Sequence, residues 1–196
     1  MLCDLDHLAT LPPADLSAGL AEVVKGGFIA DPRILEVVEA DESSVQDPGS
    51  TALREVIERK IAIKARVVAA DLRESNLREI LNYGHTLGHA IEHHEGYRMR
   101  HGEAVAIGMV YAAELAHRTG HIDAALLERH RYVLGVLGLP TSYSGASFDE
   151  LLTALRRDKK TRGATLRFVV LDALAEPTRL VGPDESLLRE AYAALA

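Results

Sequence analysis

The stretch from Leu81 to Met109, LNYGHTLGHAIEHHEGYRMRHGEAVAIGM, restricts the possible folds of this chain more than any other segment. It holds five of the nine histidines. His85 and His89 are four residues apart in a run without proline, so a helix would place both on one face. Gly84 and Gly88 have the same spacing and would let a neighbouring backbone approach closely, although glycine inside a helix costs about 0.5–1 kcal/mol relative to alanine. The pattern predicts a tightly packed helix with polar side chains along one side.

This polar face extends backwards along the chain to Asn82 and Arg78. If the helix continues that far, Arg78, Asn82, His85 and His89 fall within an arc of roughly 60° and span roughly 16 Å along the axis. That length is too great for one metal site, because metal–nitrogen bonds are only about 2 Å long. The stripe therefore predicts a site for an extended ligand, with a guanidinium for a carboxylate or phosphate at one end and imidazoles at the other.

A third candidate ligand is His101, which precedes a second apolar helix predicted from Ala104 to Thr119. His85, His101 and one carboxylate would leave the open coordination position that a catalytic metal needs. The residues alone leave three candidates for that carboxylate: Glu22, Glu92 and Glu103.

Composition narrows the class of protein. The 196 residues are 47% hydrophobic and carry a formal net charge of −7, which argues against nucleic acid or an anionic membrane as a partner. The single cysteine excludes an internal disulfide, no apolar run is long enough for a membrane span, and no signal peptide is recognised, so a cytoplasmic location is expected. The patterning predicts a mainly α-helical fold with a small β-hairpin from segments 166–171 and 179–181. No Gly-rich nucleotide-binding motif is present.

Charged residues interrupt two predicted helices. Glu22 and Lys25 share a face of a helix from Ala14 to about Ile29, which Gly26 and Gly27 are expected to end or loosen, and they form either a surface ion pair or part of a site. On the helix from Thr51 to about Leu72, Lys64 lies on the same face as Ile57, Ile61 and Val68, so it either extends to solvent along its stem or points into a site. Lys60, one turn earlier, is the rival to Lys64 and is predicted to be exposed.

The motifs NYGHTLGHAIE and HGEAVAIGM, with AGLAEVVK around Glu22 and DKK at Asp158 to Lys160, resemble those of 3-dehydroquinate synthases, which are sugar phosphate cyclases. The resemblance implies a metal site, for Zn²⁺ or Co²⁺, at Glu22, His85 and His101. It implies catalytic roles for Lys25 and His89, and it places Lys64 and Arg78 at a substrate carboxylate. The implied substrate-binding residues are Lys25, Lys64, Arg78, Asn82, His89, Lys159 and Lys160, where one of the last two contacts phosphate.

The resemblance covers residues 1–196 as one domain, the helical C-terminal part of such enzymes. It implies an NAD-binding N-terminal domain as partner, a homodimer of the full-length enzyme, and NAD as a second cofactor that binds outside this chain. The implied reaction converts 3-deoxy-D-arabino-heptulosonate 7-phosphate to 3-dehydroquinate with loss of phosphate, and this chain alone is expected to be inactive. Alternatives are another sugar phosphate cyclase, an iron-dependent alcohol dehydrogenase, or a helical metal-binding domain without turnover.

Overall fold

The structure, a computed structural model, describes residues 4–71, 77–159 and 165–196, with no side chains described for residues 77 and 156–159. The predicted fold class is confirmed: the described chain is mainly helical with one antiparallel hairpin. The helices are α1 Pro13–Ile29, α2 Arg33–Ala40, α3 Glu42–Val45, α4 Thr51–Ala70, α5 His85–His94, α6 His101–Arg118, α7 Ala124–Val136, α8 Phe148–Lys159 and α9 Glu185–Ala193. The strands are β1 Arg167–Ala173 and β2 Glu176–Val181, and two 3₁₀ helices cover Leu5–Thr10 and Leu77–Asn82.

Helix α6 forms the centre of the core. Every residue from Ala104 to Ala116 is buried, and α1, α5, α7, α9 and β1 all pack against it. Glu114, which pairs with Arg131, is the one charged residue of this buried stretch, and a helix that is apolar on nearly all sides is typical of the interior of a bundle rather than its surface. Its first turn, by contrast, reaches the surface, so α6 can present a polar residue at its N-terminal end.

The hairpin covers one side of α6 and contacts α6 near the start of β1 and α1 at its turn. Arg167 pairs with Val181 and Ala173 with Glu176, and Phe168 packs edge-on against Tyr111 of α6 with ring centroids 5.8 Å apart. In the turn between the strands, the Ala175 backbone N–H donates to the carbonyl oxygen of Phe28 at the end of α1. The hairpin therefore closes the bundle next to the helix that carries Glu22.

Helix α1 runs to Ile29, as predicted, and Gly26 and Gly27, which were expected to end or loosen it, lie inside the helix. The helix continues to Ile29 because the two glycines lie where other helices cross it closely. A Cβ built on Gly27 would lie 2.5 Å from the Leu35 side chain of α2. The glycines thus serve close packing, which offsets their weak helix propensity.

The prediction that Arg78, Asn82, His85 and His89 lie along a single helix was wrong. Arg78 and Asn82 belong to the 3₁₀ helix, and the chain then turns at Gly84, where φ is +79°, before α5 begins at His85. The left-handed conformation at Gly84 is one that residues with a Cβ rarely adopt. The turn breaks the helical periodicity, so the arc and length calculated for one helix do not apply to these four side chains.

Among the described residues, no helix combines the length and apolar character needed to cross a membrane.

Candidate metal site

Three helices meet at the candidate site, and one turn of each carries the side chains that form it. Glu22 and Lys25 come from the middle of α1, His85 from the first residue of α5, and His101 from the first residue of α6. The crossing of α1 and α6 is close, because a Cβ on Gly102 would lie 1.9 Å from the carbonyl oxygen of Ala18. Glycine beside His101 therefore allows the start of α6 to come within reach of Glu22.

The donor atoms of Glu22, His85 and His101 converge on one point. Oε1 of Glu22 lies 3.5 Å from Nε2 of His85 and 3.9 Å from Nε2 of His101, and one ligand atom from each residue lies within 4.8 Å of the others. Donors bound to one tetrahedral Zn²⁺ at 2.0–2.2 Å are separated by roughly 3.3–3.6 Å, so small side-chain shifts would suffice. Two histidines and a carboxylate are also a donor set known from catalytic zinc sites.

Both histidines are held by the nitrogen that faces away from Glu22. Nδ1 of His85 donates to the carbonyl oxygen of Tyr83 across 3.1 Å, and Nδ1 of His101 lies 3.0 Å from Oε1 of Glu92. A carbonyl oxygen and a carboxylate can only accept hydrogen bonds, so each contact assigns the proton to Nδ1. In the neutral form of each ring, Nε2 is then the nitrogen without a proton, which is the form that a metal ligand requires.

The charges around the triad keep its members in the forms that bind a cation. Burial acts to raise the pKa of Glu22, but Lys25, Lys60 and His85 lower it below its usual value, so the carboxylate stays ionised. Burial lowers the pKa of His85 to about 4, with Lys25 as the next cause, so this imidazole stays neutral at physiological pH. Since metals bind carboxylates and neutral imidazoles, two of the three ligands need no loss of a proton at neutral pH.

Lys25 is the most deeply buried charged group at the site. Its side chain is only 2% exposed, and its Nζ lies 2.7 Å from Oε1 of Glu22, the same oxygen that faces the two histidines. Burial lowers the pKa of Lys25 to about 8, against the opposing effect of Glu22. A lysine with such a pKa can exchange a proton near neutral pH.

Lys60 is the cation that the sequence analysis misplaced. Its side chain is 15% exposed and its Nζ lies 3.6 Å from Oε2 of Glu22, whereas Lys64 is exposed. The buried face of α4 consists of Leu53, Val56, Ile63 and Val67. Lys60 continues that 3–4 residue spacing and Lys64 does not, so choosing these four residues instead of Ile57, Ile61 and Val68 would have identified it.

The remaining predicted site residues lie in different places. His89 is exposed one turn after His85, and the two ring centroids are 5.1 Å apart. Asn82 is exposed at the end of the 3₁₀ helix, and the backbone N–H of Arg78 donates to Asp71. The side chain of Lys159 and the whole of Lys160 lie outside the described residues.

Of the three carboxylates left open by the sequence, the structure brings Glu22 to the convergence point. Glu92 contacts the far side of His101, and Glu103 caps α6 by accepting from the Arg100 backbone N–H at 3.0 Å. A second group of donors, His89, Glu92 and His101, also lies within 4.8 Å, but it shares His101 with the first.

Comparison with known proteins places these residues in a family. The family model described as 3-dehydroquinate synthase C-terminal matches residues 19–161. The chain belongs to that family. All three members of the triad, and Lys25 and Lys60 beside them, lie inside the matched range.

Curated relatives agree with the family. The chain is 59% identical over 196 residues to the 3-dehydroquinate synthase of Thermobifida fusca and 57% identical over 193 residues to that of Rhodococcus erythropolis. These alignments cover 100% and 98% of this chain but 53% and 52% of the relatives. The chain thus spans about half the length of the curated relatives that it matches.

Solved structures of related cyclases share the fold. A 2-epi-5-epi-valiolone synthase from Streptomyces hygroscopicus subsp. jinggangensis, with NAD⁺ and Zn²⁺ bound, superposes with a TM-score of 0.90 at 25% identity, over 98% of this chain and 54% of that one. A 2-deoxy-scyllo-inosose synthase complexed with carbaglucose-6-phosphate, NAD⁺ and Co²⁺ gives a TM-score of 0.76 at 26% identity, over 95% and 54%.

Proposed function

We propose that this chain is the metal- and substrate-binding part of a 3-dehydroquinate synthase. The observation that carries the proposal is the convergence of Glu22, His85 and His101 from three helices, within a sequence 57–59% identical to enzymes of that name. The reaction would convert 3-deoxy-D-arabino-heptulosonate 7-phosphate to 3-dehydroquinate, with transient oxidation by NAD and elimination of phosphate.

The triad is suited to Zn²⁺ or Co²⁺, the ions named for the two structural relatives. The donor set fits, because Nδ1 of each histidine faces a hydrogen-bond acceptor, which leaves Nε2 for a metal, and because the carboxylate of Glu22 is ionised. Three protein ligands leave a coordination position for substrate. When bound, such an ion supplies a Lewis acid that stabilises negative charge on a substrate oxygen.

Lys25 and Lys60 complete the electrostatics of the proposed site. Each lies beside one oxygen of Glu22, so a single carboxylate is flanked by two ammonium groups even before a divalent ion is added. This surplus of positive charge favours an anionic substrate. Lys25, with its pKa of about 8, can also take up or release a proton near neutral pH.

The other substrate contacts are proposed from the family motifs. Lys64 and Arg78 would bind the substrate carboxylate, and an arginine there can form two parallel hydrogen bonds. Asn82, His89 and either Lys159 or Lys160 would bind the phosphate, and His89 would assist its departure. Lys60 remains the rival to Lys64 in this set, and its position 3.6 Å from Oε2 of Glu22 supports it.

Catalysis would need a second part. The chain matches about half of its relatives, and its sequence carries no Gly-rich dinucleotide motif. We therefore propose that NAD is bound by an N-terminal domain and that the complete enzyme is a homodimer, as the family resemblance implies.

Another sugar phosphate cyclase is the second candidate, because a valiolone synthase gives a TM-score of 0.90. The two candidates differ in substrate, since only the substrate of the dehydroquinate reaction carries a carboxylate. The relatives at 57–59% identity favour the dehydroquinate reaction.

The test joins the chain to the N-terminal half of a curated relative, in cis or in trans, with Zn²⁺ and NAD. Phosphate release from the heptulosonate phosphate is expected from the combination and not from the chain alone. A matched seven-carbon sugar phosphate without the carboxylate should react far more slowly. Preference for the latter substrate would favour the second candidate, and robust turnover by the 196 residues alone would contradict the two-part proposal.

A further inference from the structure

Glu92 lies in the last turns of α5 and contacts the first residue of α6. Its side chain is 13% exposed, and its Oε1 lies 3.0 Å from Nδ1 of His101. On the other side of the His101 ring, Nε2 lies 3.9 Å from Oε1 of Glu22. The two nitrogens of one imidazole thus face two carboxylates, one on the metal-site side and one behind it.

His101 depends on such a contact more than His85 does. The side chain of His85 is 14% exposed and its Nδ1 is held by a backbone carbonyl, whereas the side chain of His101 is 47% exposed at a helix start. An exposed imidazole can rotate about two bonds, and each rotamer lost on binding costs free energy. A hydrogen bond to a largely buried carboxylate would select the rotamer that directs Nε2 towards Glu22.

We propose that Glu92 is a positioning residue that fixes the ring orientation and tautomer of His101 for metal binding. This inference rests on the proposed metal site at Glu22, His85 and His101. In a neutral imidazole, an Nδ1–H that donates a hydrogen bond to Glu92 leaves Nε2 as the nitrogen with a free lone pair. The negative charge of Glu92 also makes that nitrogen a better donor to a cation.

The group formed by His89, Glu92 and His101 suggests a different role for Glu92, as a ligand of a second ion. The hydrogen bond between Glu92 and His101 favours positioning, because a nitrogen that carries a proton cannot bind a metal. The two roles differ in stoichiometry and in spectrum, so one experiment separates them.

The experiment titrates the chain with Co²⁺ in competition with a chromophoric chelator and records the visible absorption of bound cobalt. Glu92→Ala should weaken Co²⁺ binding by about 10–100-fold, the usual effect of removing an outer partner of a ligating histidine. Glu92→Gln keeps an acceptor oxygen without the charge, so it should lose less. Glu103→Gln is the matched control, since the Glu103 carboxylate caps the same helix by accepting from the Arg100 backbone N–H, and this variant should bind cobalt like wild type. Circular dichroism should show that all variants fold.

The outcomes are distinguishable. At saturating cobalt, the Glu92→Ala spectrum should match that of wild type, because Glu92 is not a ligand in this proposal. Unchanged affinity in Glu92→Ala, a changed spectrum, or a fall from two ions to one per chain would each overturn it. A wild-type chain that binds no cobalt would contradict the proposed metal site and this inference together, whereas normal binding in wild type and in Glu92→Ala would contradict this inference alone.

Discussion

The pKa values of His85 and His130 are lowered to the same extent, but the two rings have different surroundings. Burial is the largest cause of the lowered pKa of both, which is about 4 for each. His130 is fully buried, stacks on Phe28 with ring centroids 3.7 Å apart, donates from Nδ1 to the Leu126 carbonyl and accepts at Nε2 from the Tyr83 hydroxyl. His85 has one nitrogen held by a carbonyl and the other directed at Glu22.

The difference shows that a shifted pKa does not identify a functional histidine. Both shifts report the loss of water around the ring, but only at His85 does an unprotonated nitrogen face other metal-binding donors. Tyr83 connects the two regions, because its hydroxyl binds His130 while its carbonyl binds His85. The buried cluster of Phe28, Tyr83 and His130 can therefore support the site without taking part in it.

The largest expected effect comes from His85→Ala, which removes a proposed ligand. Loss of an outer partner weakens metal binding by about 10–100-fold, so loss of the ligand itself should cost about 1,000-fold or more. The metal-free stability should change little, because His85 is at a helix start with one backbone contact. Competition titration with Co²⁺ measures the first and thermal unfolding the second, with the exposed His93→Ala as control. Equal cobalt affinity in His85→Ala and His93→Ala would mean that His85 is not a metal ligand and does not differ from His130 in this respect.

His130→Ala should have the reverse profile. It deletes a fully buried ring that stacks on Phe28 and leaves the Tyr83 hydroxyl without its acceptor, so unfolding should become easier by about 3–5 kcal/mol. Urea unfolding of the metal-free chain measures this loss. The cobalt affinity of the fraction that remains folded should stay within a few-fold of wild type. A stable variant that has lost its metal site would instead place His130 in the functional region.

Acid should destabilise the chain through His130. Because the folded-state pKa is about 4 and the usual value is 6.5, the unfolded chain binds the proton more readily. The stabilisation is complete above pH 6.5 and is lost as the pH falls through 4. A shift of about 2.5 pKa units corresponds to roughly 3 kcal/mol. Urea unfolding between pH 7 and 4 should show a shallower pH slope for His130→Leu than for wild type. Equal slopes would mean that His130 does not titrate in this way.

Tyr83→Phe should give the smallest effect and test the link between the regions. It removes the hydroxyl that donates to His130 and keeps the carbonyl that holds His85. The free energy of unfolding should fall by about 1–3 kcal/mol, because the buried His130 nitrogen loses its donor. Cobalt affinity should remain that of wild type. A weakened metal site in this variant would show that the hydroxyl, and not only the carbonyl, orients His85.

Much of the fold was predictable because it depends on local rules. The helix from Ala14 to Ile29 was placed to within one residue of α1, and the hairpin segments overlap β1 and β2. Apolar spacing and turn residues act over a few positions, and they can be read without knowing neighbours in space. The Gly84 turn was missed because the glycines were assigned to a helix interior, and a positive φ has no separate signal in that pattern.

The candidate site shows where sequence reasoning ends. Spacing together with the family motif predicted Glu22, His85 and His101 as metal ligands. Spacing alone could not choose between Glu22, Glu92 and Glu103 for the carboxylate. That choice depends on the crossing of α1 over the start of α6, where Gly102 meets Ala18, and distant segments meet only in the folded chain. The assignment of Lys60 rather than Lys64 to the vicinity of Glu22 has the same origin, because the side of α4 that becomes buried is set by packing against its neighbours. Local sequence therefore decided which residues could bind a metal, and helix packing decided which of them lie within 4.8 Å of one another.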